Sequence, residues 1–396
     1  MKIFKNKIAW LVPIVALTVM FIFSLTLIPS ANSQPENLPI AIVNEDKGVE
    51  ISGQPPLNMG ETIVKLVESN MDTSSDEEAP VKWIKVSSAE EVQEGLNNQE
   101  YYAALIIPED FSINQASLQT PEPSSPEIGI YINQGMNAAA ASVTGEMLNR
   151  LVDNMNNNMR TEIFSDLETR GATLTVAQAA ALTNPITKSV NIVNGVGDSA
   201  NGNAPVSLFQ PLWMASIASA AIIFLATSKL SIRSRKESLG TKLGQVIIGA
   251  IAAFIVGFGL TWIADGMLGF DILQFSDTGF FLTLTFFSFF VMILAVLSFL
   301  GIKGIVIFVL LLFFGAPLLA LPPEMMPTFY SDWIYSWLPM QFMVEGLREL
   351  FFFGNELTWN TPVSVLFWIG IISMLVLFAT ALIQKNEQNE KNVGIK

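Results

Sequence analysis

Uncharged apolar runs divide the chain into membrane-like and polar parts. Residues 8–28 form the first run, and as a helix it would extend about 31 Å, close to the thickness of a bilayer's hydrocarbon core. A polar stretch, 29–207, follows, and the apolar pattern then returns at 208–228, 243–264, 278–300, 304–321 and 362–383. This pattern predicts six transmembrane helices in a one-plus-five arrangement, with a tight hairpin between the fourth and the fifth.

The first apolar run is predicted to be an uncleaved membrane anchor. It exceeds the 7–15 apolar residues that are typical of a secretory signal peptide. Pro29 also stands where a cleavage site would need a small residue. The N-terminal segment 1–28 is therefore interpreted as a short cytoplasmic tip followed by the first transmembrane helix.

The distribution of lysine and arginine predicts the orientation. The segment 229–242 carries five basic residues, whereas 265–277 carries three aspartates and no basic residue. Short cytoplasmic loops are enriched in basic residues, so 229–242 should be cytoplasmic. Six spans then place both termini in the cytoplasm of a cell-membrane protein and the polar segment outside. The predicted domains are 1–28, an extracellular domain 29–207, a five-helix membrane domain 208–384 and a cytoplasmic tail 385–396.

The polar segment alternates between strand-like and helix-like patterns. Strands are predicted at 39–44, 81–86, 101–108 and 127–133. Helices are predicted at 57–69, after Ser88 (with Glu91 completing a capping box), over 135–170 and over about 175–193. The alternation is typical of an α/β domain with a mostly covered sheet. The turn 44–48 is interpreted as the simple end of a strand, because it lacks the alternating oxygen ligands of a calcium loop.

Composition supports a membrane protein and excludes several kinds of chemistry. Half of the residues, 51%, are hydrophobic, only 14% are charged, and the mean hydropathy is +0.46. The chain has no cysteine and no histidine, which excludes disulfides, thiol nucleophiles, Ser-His-Asp triads and histidine-ligated metals. The net charge of −14 makes nucleic acid an improbable partner.

The sequence shows no catalytic, cofactor-binding or metal-binding pattern, so no enzyme activity and no cofactor are predicted. The phosphate-binding pattern G-x-x-x-x-G-K-[ST] is absent, and any ATP hydrolysis must come from another chain. No predicted span carries a charge at its centre, which disfavours an ion-coupled pump. The remaining alternatives are a permease that is powered by a separate subunit and a membrane protein that transports nothing.

Two segments are candidate functional sites. The basic segment 229–242 either fixes orientation and attracts anionic lipids or forms a short helix that docks onto a cytoplasmic partner. The segment 335–355 is interpreted as a helix that lies in or dips into the outer leaflet, with a purely structural anchor as the alternative. The candidate residues are Arg233, Arg235, Lys236 and Glu237 in the first segment, and Gln341, Glu345, Arg348 and Glu349 in the second. Glu345 and Arg348 are three positions apart and are expected to pair.

The chain resembles a known group of membrane proteins. The strings PIAIVNEDKG from Pro39, WIKVSSAEEVQEGL from Trp83 and YYAALIIPEDFS from Tyr101 resemble the outer domain of phage-infection-protein-like proteins. The string LPMQFMVEGLREL from Leu338 resembles the permease part of the related type-2 ABC exporters. The outer domain is shorter than in the long stalked members, and only seven residues precede the first apolar run.

The resemblance implies a six-helix permease subunit that forms a homodimer or heterodimer in the lipid bilayer and works with a separate ABC ATPase. It also implies a coupling element within 229–242 and outer re-entrant helices near 338–353. The leading hypothesis is an exporter permease for an amphipathic or hydrophobic substrate. The alternative is a surface receptor or secretion scaffold that binds a partner through residues 29–207 without transport.

Overall fold

The structure is a computed structural model, and it describes residues 25, 28–31, 34–50, 56–69, 79–171, 173–197, 202–232 and 234–393. The chain divides into two compact units. One is Gln34–Val196, called here the polar unit. The other, the membrane unit, comprises Gly197–Lys396 together with Met1–Ser33. Most of the predicted first span, 8–28, and the candidate residue Arg233 lie outside the described residues.

The polar unit is an α/β fold. Its strands are β1 (Leu38–Asn44), β2 (Val81–Lys85), β3 (Ala103–Ile107), β4 (Glu127–Asn133) and β5 (Thr187–Val193). Its helices are α1 (Met59–Ser69), α2 (Ala89–Asn97), α3 (Phe111–Ser117), α4 (Ala138–Arg170) and α5 (Val176–Ala181). The four strands and the first helices that the hydrophobic pattern predicts are therefore confirmed to within a few residues, whereas α3 was not predicted.

The five strands form one mixed sheet in the order β2-β1-β3-β4-β5. Strand β1 pairs in parallel with β2 and β3, β4 runs antiparallel to β3, and β5 runs parallel to β4. On one face, Ile40 and Ile42 pack with apolar residues of α1, α3 and α4. On the other face, Ala41 and Val43 pack against α2. The central strands β1 and β3 are covered on both faces and have near-continuous apolar sequences, whereas the edge strand β5 is partly exposed.

The prediction of one helical stretch over about 175–193 is wrong, because its second half is β5. Pro185 lacks the amide hydrogen that a helix interior needs, and helix α5 ends before it. Beyond the proline, the side-chain amide of Asn156 accepts from the Ile186 amide at 2.6 Å and donates to the Ile186 carbonyl at 3.0 Å. This pair of bonds fixes the start of β5 against α4.

The membrane unit is helical. Its helices are α6 (Ala204–Ser228), α7 (Arg235–Gly266), α8 (Phe275–Leu300), α9 (Ile305–Leu318), α10 (Thr328–Trp333), α11 (Pro339–Phe352) and α12 (Thr361–Val393). A short helical segment, Ile28–Ala31, belongs to the same unit. Among the described residues, four helical stretches are long and apolar enough to cross a membrane: Ala204–Ser228, Arg235–Gly266, Phe275–Leu318 and Thr361–Ala381.

The long stretch Phe275–Leu318 is interrupted by the turn Gly301–Gly304, where Gly301 has a φ of +68°. The Trp213 ring of α6 lies 4.9 Å from Phe289 before the turn and 6.1 Å from Phe308 after it. These two phenylalanines would be nearly 30 Å apart in one straight helix. The chain therefore folds back at the turn, so that α8 and α9 form the hairpin that the glycines predict.

Candidate functional site

The first candidate segment is the start of a long helix. The segment 229–242 is partly helical, since residues 229–234 separate α6 from α7 and α7 begins at Arg235. Ser234 caps α7 by accepting a hydrogen bond from the Glu237 amide at 3.1 Å. Ser234 and Glu237 match the S-x-x-E pattern of a capping box, which is the sequence signal that could have located this start.

The structure brings Arg235, Lys236 and Glu237 together in the first turn of α7. All three side chains are exposed, so they form a charged surface at the end of the helix. A helix is a rigid element, so a protein that binds these three residues and moves them would also move the apolar part of α7.

Two buried polar residues behind that turn tie α7 to its neighbours, and sequence analysis missed both roles. The Lys242 ammonium donates to the Ser298 hydroxyl at the end of α8, at 2.9 Å. The Gln245 side chain donates to the Thr227 hydroxyl at the end of α6, at 2.7 Å. Lys242 is 8% exposed and Gln245 3% exposed, so both bonds are shielded from water. The three helix ends are thereby held together next to the charged turn.

The second candidate segment forms helix α11, which is packed into the membrane unit. Met340, Met343 and Leu347 are buried in the same apolar core as Phe281 of α8. A side-chain carbon on Gly346 would come within 2.2 Å of the Phe281 ring, so glycine permits this close approach. The apolar face of α11 therefore contacts protein.

The four polar candidates of α11 have different partners. Gln341, 5% exposed, donates to the Ser336 carbonyl at 3.0 Å. Arg348 donates to the Leu319 carbonyl at 3.4 Å. The Glu349 carboxylate accepts a hydrogen bond from the side-chain amide of Asn360 at 2.5 Å, which links α11 to the residue that precedes α12. The expected Glu345–Arg348 ion pair does not form, although the two charges are close enough to influence each other.

Burial gives Glu345 unusual acid–base behaviour. Desolvation raises the pKa of Glu345 to about 7, with Arg348 opposing the shift and Glu349 adding to it. Burial also raises the pKa of Glu349, while its hydrogen bond with Asn360 acts in the opposite direction. Both glutamates lie outside the four candidate spans. The carboxyl of Glu345 can therefore change its charge near neutral pH.

A further polar centre, in the polar unit, was interpreted from the sequence only as the end of a strand. Asp46 follows β1 and is 7% exposed. Its carboxylate accepts from the Ser112 hydroxyl at 2.5 Å and from the amides of Gly60, Ser112 and Gly48 at 2.9, 3.0 and 3.2 Å. Burial alone would raise the pKa of Asp46, but these hydrogen bonds, that of the Ser112 hydroxyl foremost, hold it below its usual value.

The turn after β1 connects the starts of three helices. Asp46 bonds to the first turns of α1 and α3, and the Glu45 carboxylate accepts from the Ala89 amide at the start of α2, at 3.0 Å. Because β1, β2 and β3 are parallel, the helices that follow them begin at one edge of the sheet. Carboxylates stabilise helix N-termini, so the turn 44–48 serves as the structural junction of the unit.

The described residues contain no group of three or more acidic side chains placed to hold a metal ion. Comparisons with known proteins identify a family for the chain. The ABC-2 family transporter protein profile matches residues 8–383, nearly the whole chain. "Uncharacterized protein YhgE" of Bacillus subtilis (strain 168) is 28% identical over 116 residues, or 29% of this chain. The match spans only 14% of that relative's length. No solved structure matches the chain.

Proposed function

The chain belongs to the ABC-2 family of transporter proteins, and we propose that it is the membrane subunit of an exporter driven by a separate ABC ATPase. The substrate would be amphipathic or hydrophobic, and the subunit would act as a homodimer or heterodimer in the cell membrane. The family match is the observation that carries this proposal. The comparisons do not favour the alternative of a receptor or scaffold related to phage-infection proteins.

In the proposed topology, six helices cross the membrane, the first of them within 8–28. The hairpin of α8 and α9 would account for two of the crossings. Both termini and the start of α7 would be cytoplasmic, and residues 29–207 would be extracellular. The basic residues before and within the first turn of α7 support this orientation.

The start of α7 is the proposed ATPase-facing element, with Arg233, Arg235, Lys236 and Glu237 as its charged surface. Exposed charges affect the rate and the specificity with which two proteins associate more than they affect the affinity of the complex. A movement of this surface would displace α7. The bond between Lys242 and Ser298 would couple that movement to α8, and the bond between Gln245 and Thr227 would couple it to α6. Helix α11 would be the re-entrant element on the outer side, with Gln341, Glu345, Arg348 and Glu349 as its polar residues.

Co-purification of an ATPase tests the proposal. The tagged chain is isolated from its own cells in a mild detergent, and the bound proteins are examined for an ABC ATPase. We expect one to accompany the wild-type chain and to be lost from the charge-reversed variant R235E/K236E. Absence of an ATPase from the wild-type chain under several detergents would contradict the proposed function.

The matched control is K65E/K82E, which reverses two exposed lysines in the polar unit and makes the same change in net charge. It should retain the ATPase. Retention of the ATPase by R235E/K236E would leave the exporter proposal intact and refute the coupling role of α7. The insertion of each variant is checked by its folded yield and by cysteine labelling, because charge reversal also acts on topology.

A further inference from the structure

The last strand of the polar unit, β5, leaves one edge of the sheet unpaired. It is the terminal strand in the order β2-β1-β3-β4-β5, and its partner among the described strands is β4 alone. The Thr187 amide donates to the Pro126 carbonyl at 2.8 Å, so Thr187 directs its peptide groups toward β4. Peptide groups alternate in direction along a strand, and three residues therefore direct their N–H and C=O groups away from the sheet: Lys188, Val190 and Ile192.

The side chains at this edge are apolar and partly exposed to solvent. Val190 is 47% exposed and Ile192 is 58% exposed. Their register partners on β4 are Ile130 and Ile132, which belong to the sheet face that packs against α4. The apolar face of the sheet therefore continues to the outer edge, where the described residues cover it only in part.

The charges on β5 do not protect this edge. Edge strands are normally guarded against association by charged side chains or prolines. The opposite edge of the sheet follows this rule, because β2 carries the exposed residues Lys82 and Lys85. Strand β5 has one charged residue, Lys188, whose ammonium donates to the Asp153 carboxylate of α4 at 2.8 Å. The charge on β5 is thus already paired, and the edge is suited to binding another strand.

We propose that β5 pairs antiparallel with β5 of a second copy of the chain, so that two polar units share one continuous sheet. This inference deepens the proposed function and rests on its dimer, because it names the surface through which the two subunits meet outside the membrane. Among antiparallel registers, only the one centred on Val190 pairs all three outward-facing residues. Val190 would then face Val190 of the second copy, and Lys188 would face Ile192.

The register centred on Val190 is chemically complementary. Each of the facing pairs would exchange two backbone hydrogen bonds, and the two valines would extend the apolar face of the sheet. On the other face, Ser189 would lie opposite Asn191 of the second copy, where the two polar side chains can form a hydrogen bond. The two copies of Lys188 would lie about 14 Å apart along the strands, so their like charges do not meet.

The small size of the contact favours a second copy over an unrelated partner. A strand of seven residues buries far less than the roughly 1,600 Å² of a standard independent interface. Two copies held in one membrane dimer do not need that area, because their shared anchorage keeps the second strand at a high effective concentration. An identical strand also satisfies the self-complementary register by symmetry.

Cysteine cross-linking of the full-length chain in its own cell membrane tests this pairing. Facing residues of a hydrogen-bonded pair have Cα atoms about 5.5 Å apart, within the range of a disulfide bond. Val190→Cys, oxidised with copper phenanthroline, should therefore form a disulfide-linked dimer in at least about half of the chains. The control Val176→Cys replaces another exposed valine of the polar unit, in α5, and should form it in about a tenth or less.

The register is tested with two differently tagged copies that carry different cysteines. Ile192→Cys in one copy and Lys188→Cys in the other should cross-link as a mixed dimer. Neither variant should cross-link efficiently when it is expressed alone, because the two copies of either residue would be about 14 Å apart. This mixed dimer decides the question even if Val190→Cys fails to fold.

Absence of both the Val190→Cys dimer and the mixed dimer would overturn the proposal, as would equal cross-linking of Val176→Cys. A cross-link from Val190→Cys to a protein of another mass would assign the edge to a different partner and overturn it as well. The co-purified ATPase judges the exporter function separately. An ATPase without the cross-link would refute only the β5 interface, whereas a cross-linked dimer without an ATPase would retain the interface and refute the exporter function.

Discussion

At the scale of single residues, Asp46 offers the clearest prediction. Each carboxylate oxygen accepts two hydrogen bonds, one pair from the Gly48 and Ser112 amides and the other from the Gly60 amide and the Ser112 hydroxyl. In Asp46→Asn the side-chain NH₂ must face at least one backbone N–H in either orientation. We expect a loss of about 2 kcal/mol, which corresponds to roughly 30-fold faster local amide exchange.

Hydrogen exchange by mass spectrometry on the full-length chain measures this loss in peptides from α1 and α3. The control is Asp110→Asn, an exposed aspartate whose carboxylate accepts a hydrogen bond from the Asn114 side chain at 2.8 Å. It should leave exchange nearly unchanged. Equal protection in wild type and Asp46→Asn would show that Asp46 does not join the two helices.

The raised pKa of Glu345 predicts that the folded chain loses stability as the pH rises toward 7. Its pKa is about 7 in the folded chain and near 4.3 when unfolded, so between these values the folded state binds more protons. The Glu345 contribution to stability therefore decreases as the pH rises from about 4.5 to 7. Thermal unfolding in detergent should show a smaller loss of melting temperature over this range in Glu345→Gln than in the wild-type chain. The control Glu356→Gln, which neutralises an exposed glutamate, should retain the wild-type slope.

At the scale of elements, a glycine sets the spacing of α7 and α8. A side-chain carbon on Gly257 would lie 2.6 Å from the Thr283 amide nitrogen and 2.8 Å from the Gly279 carbonyl oxygen. Both are backbone atoms that cannot move aside, so Gly257→Ala must push the helices apart. We expect a loss of 1–3 kcal/mol, about the cost of overpacking a core.

Gly259 is the matched control for Gly257, since the same carbon there would meet nothing within 4 Å. Alanine has the higher helix propensity, so Gly259→Ala should be neutral or slightly stabilising. Melting temperature and monodisperse yield in detergent compare the two variants. Equal behaviour of the two alanine variants would contradict the close packing of α7 and α8.

Element prediction from the sequence succeeded where one local pattern was sufficient. Apolar strand patterns and the capping sequence of Ser88 and Glu91 identified β1 to β4 and α2, although the Glu91 carboxylate accepts from the Ser87 amide rather than from the Ser88 amide of a full capping box. Strand β5 was missed because its partner is remote in sequence, although Pro185 marked the end of the helix. The sequence predicts at most a short separate helix within 229–242, because the charges there interrupt the apolar pattern. That this segment starts the long helix α7 could have been located only from the capping pattern of Ser234 and Glu237.

Site prediction from the sequence was more limited. Periodicity placed Gln341, Glu345, Arg348 and Glu349 on one amphipathic helix, but spacing alone could not show what each side chain meets. The partners lie at Ser336, Leu319 and Asn360, in segments brought together only by the fold. Likewise, no local pattern identifies Lys242 as a buried donor to Ser298, 56 residues away.

At the scale of the whole molecule, the proposed orientation in the membrane rests on the distribution of charge, and cysteine labelling can test it because the chain has no cysteine. Glu122→Cys, Lys236→Cys and Thr358→Cys each replace an exposed residue. In the proposed topology, residues 122 and 358 are extracellular and residue 236 is cytoplasmic. A thiol reagent that does not cross membranes should label Glu122→Cys and Thr358→Cys on intact cells, and Lys236→Cys only after lysis. The cysteine-free wild type gives the background signal. Labelling of Lys236→Cys on intact cells would invert the orientation and remove the basis for an ATPase at α7. Labelling of residue 122 but not of residue 358 would instead keep the orientation of the polar unit and contradict the number of spans between them.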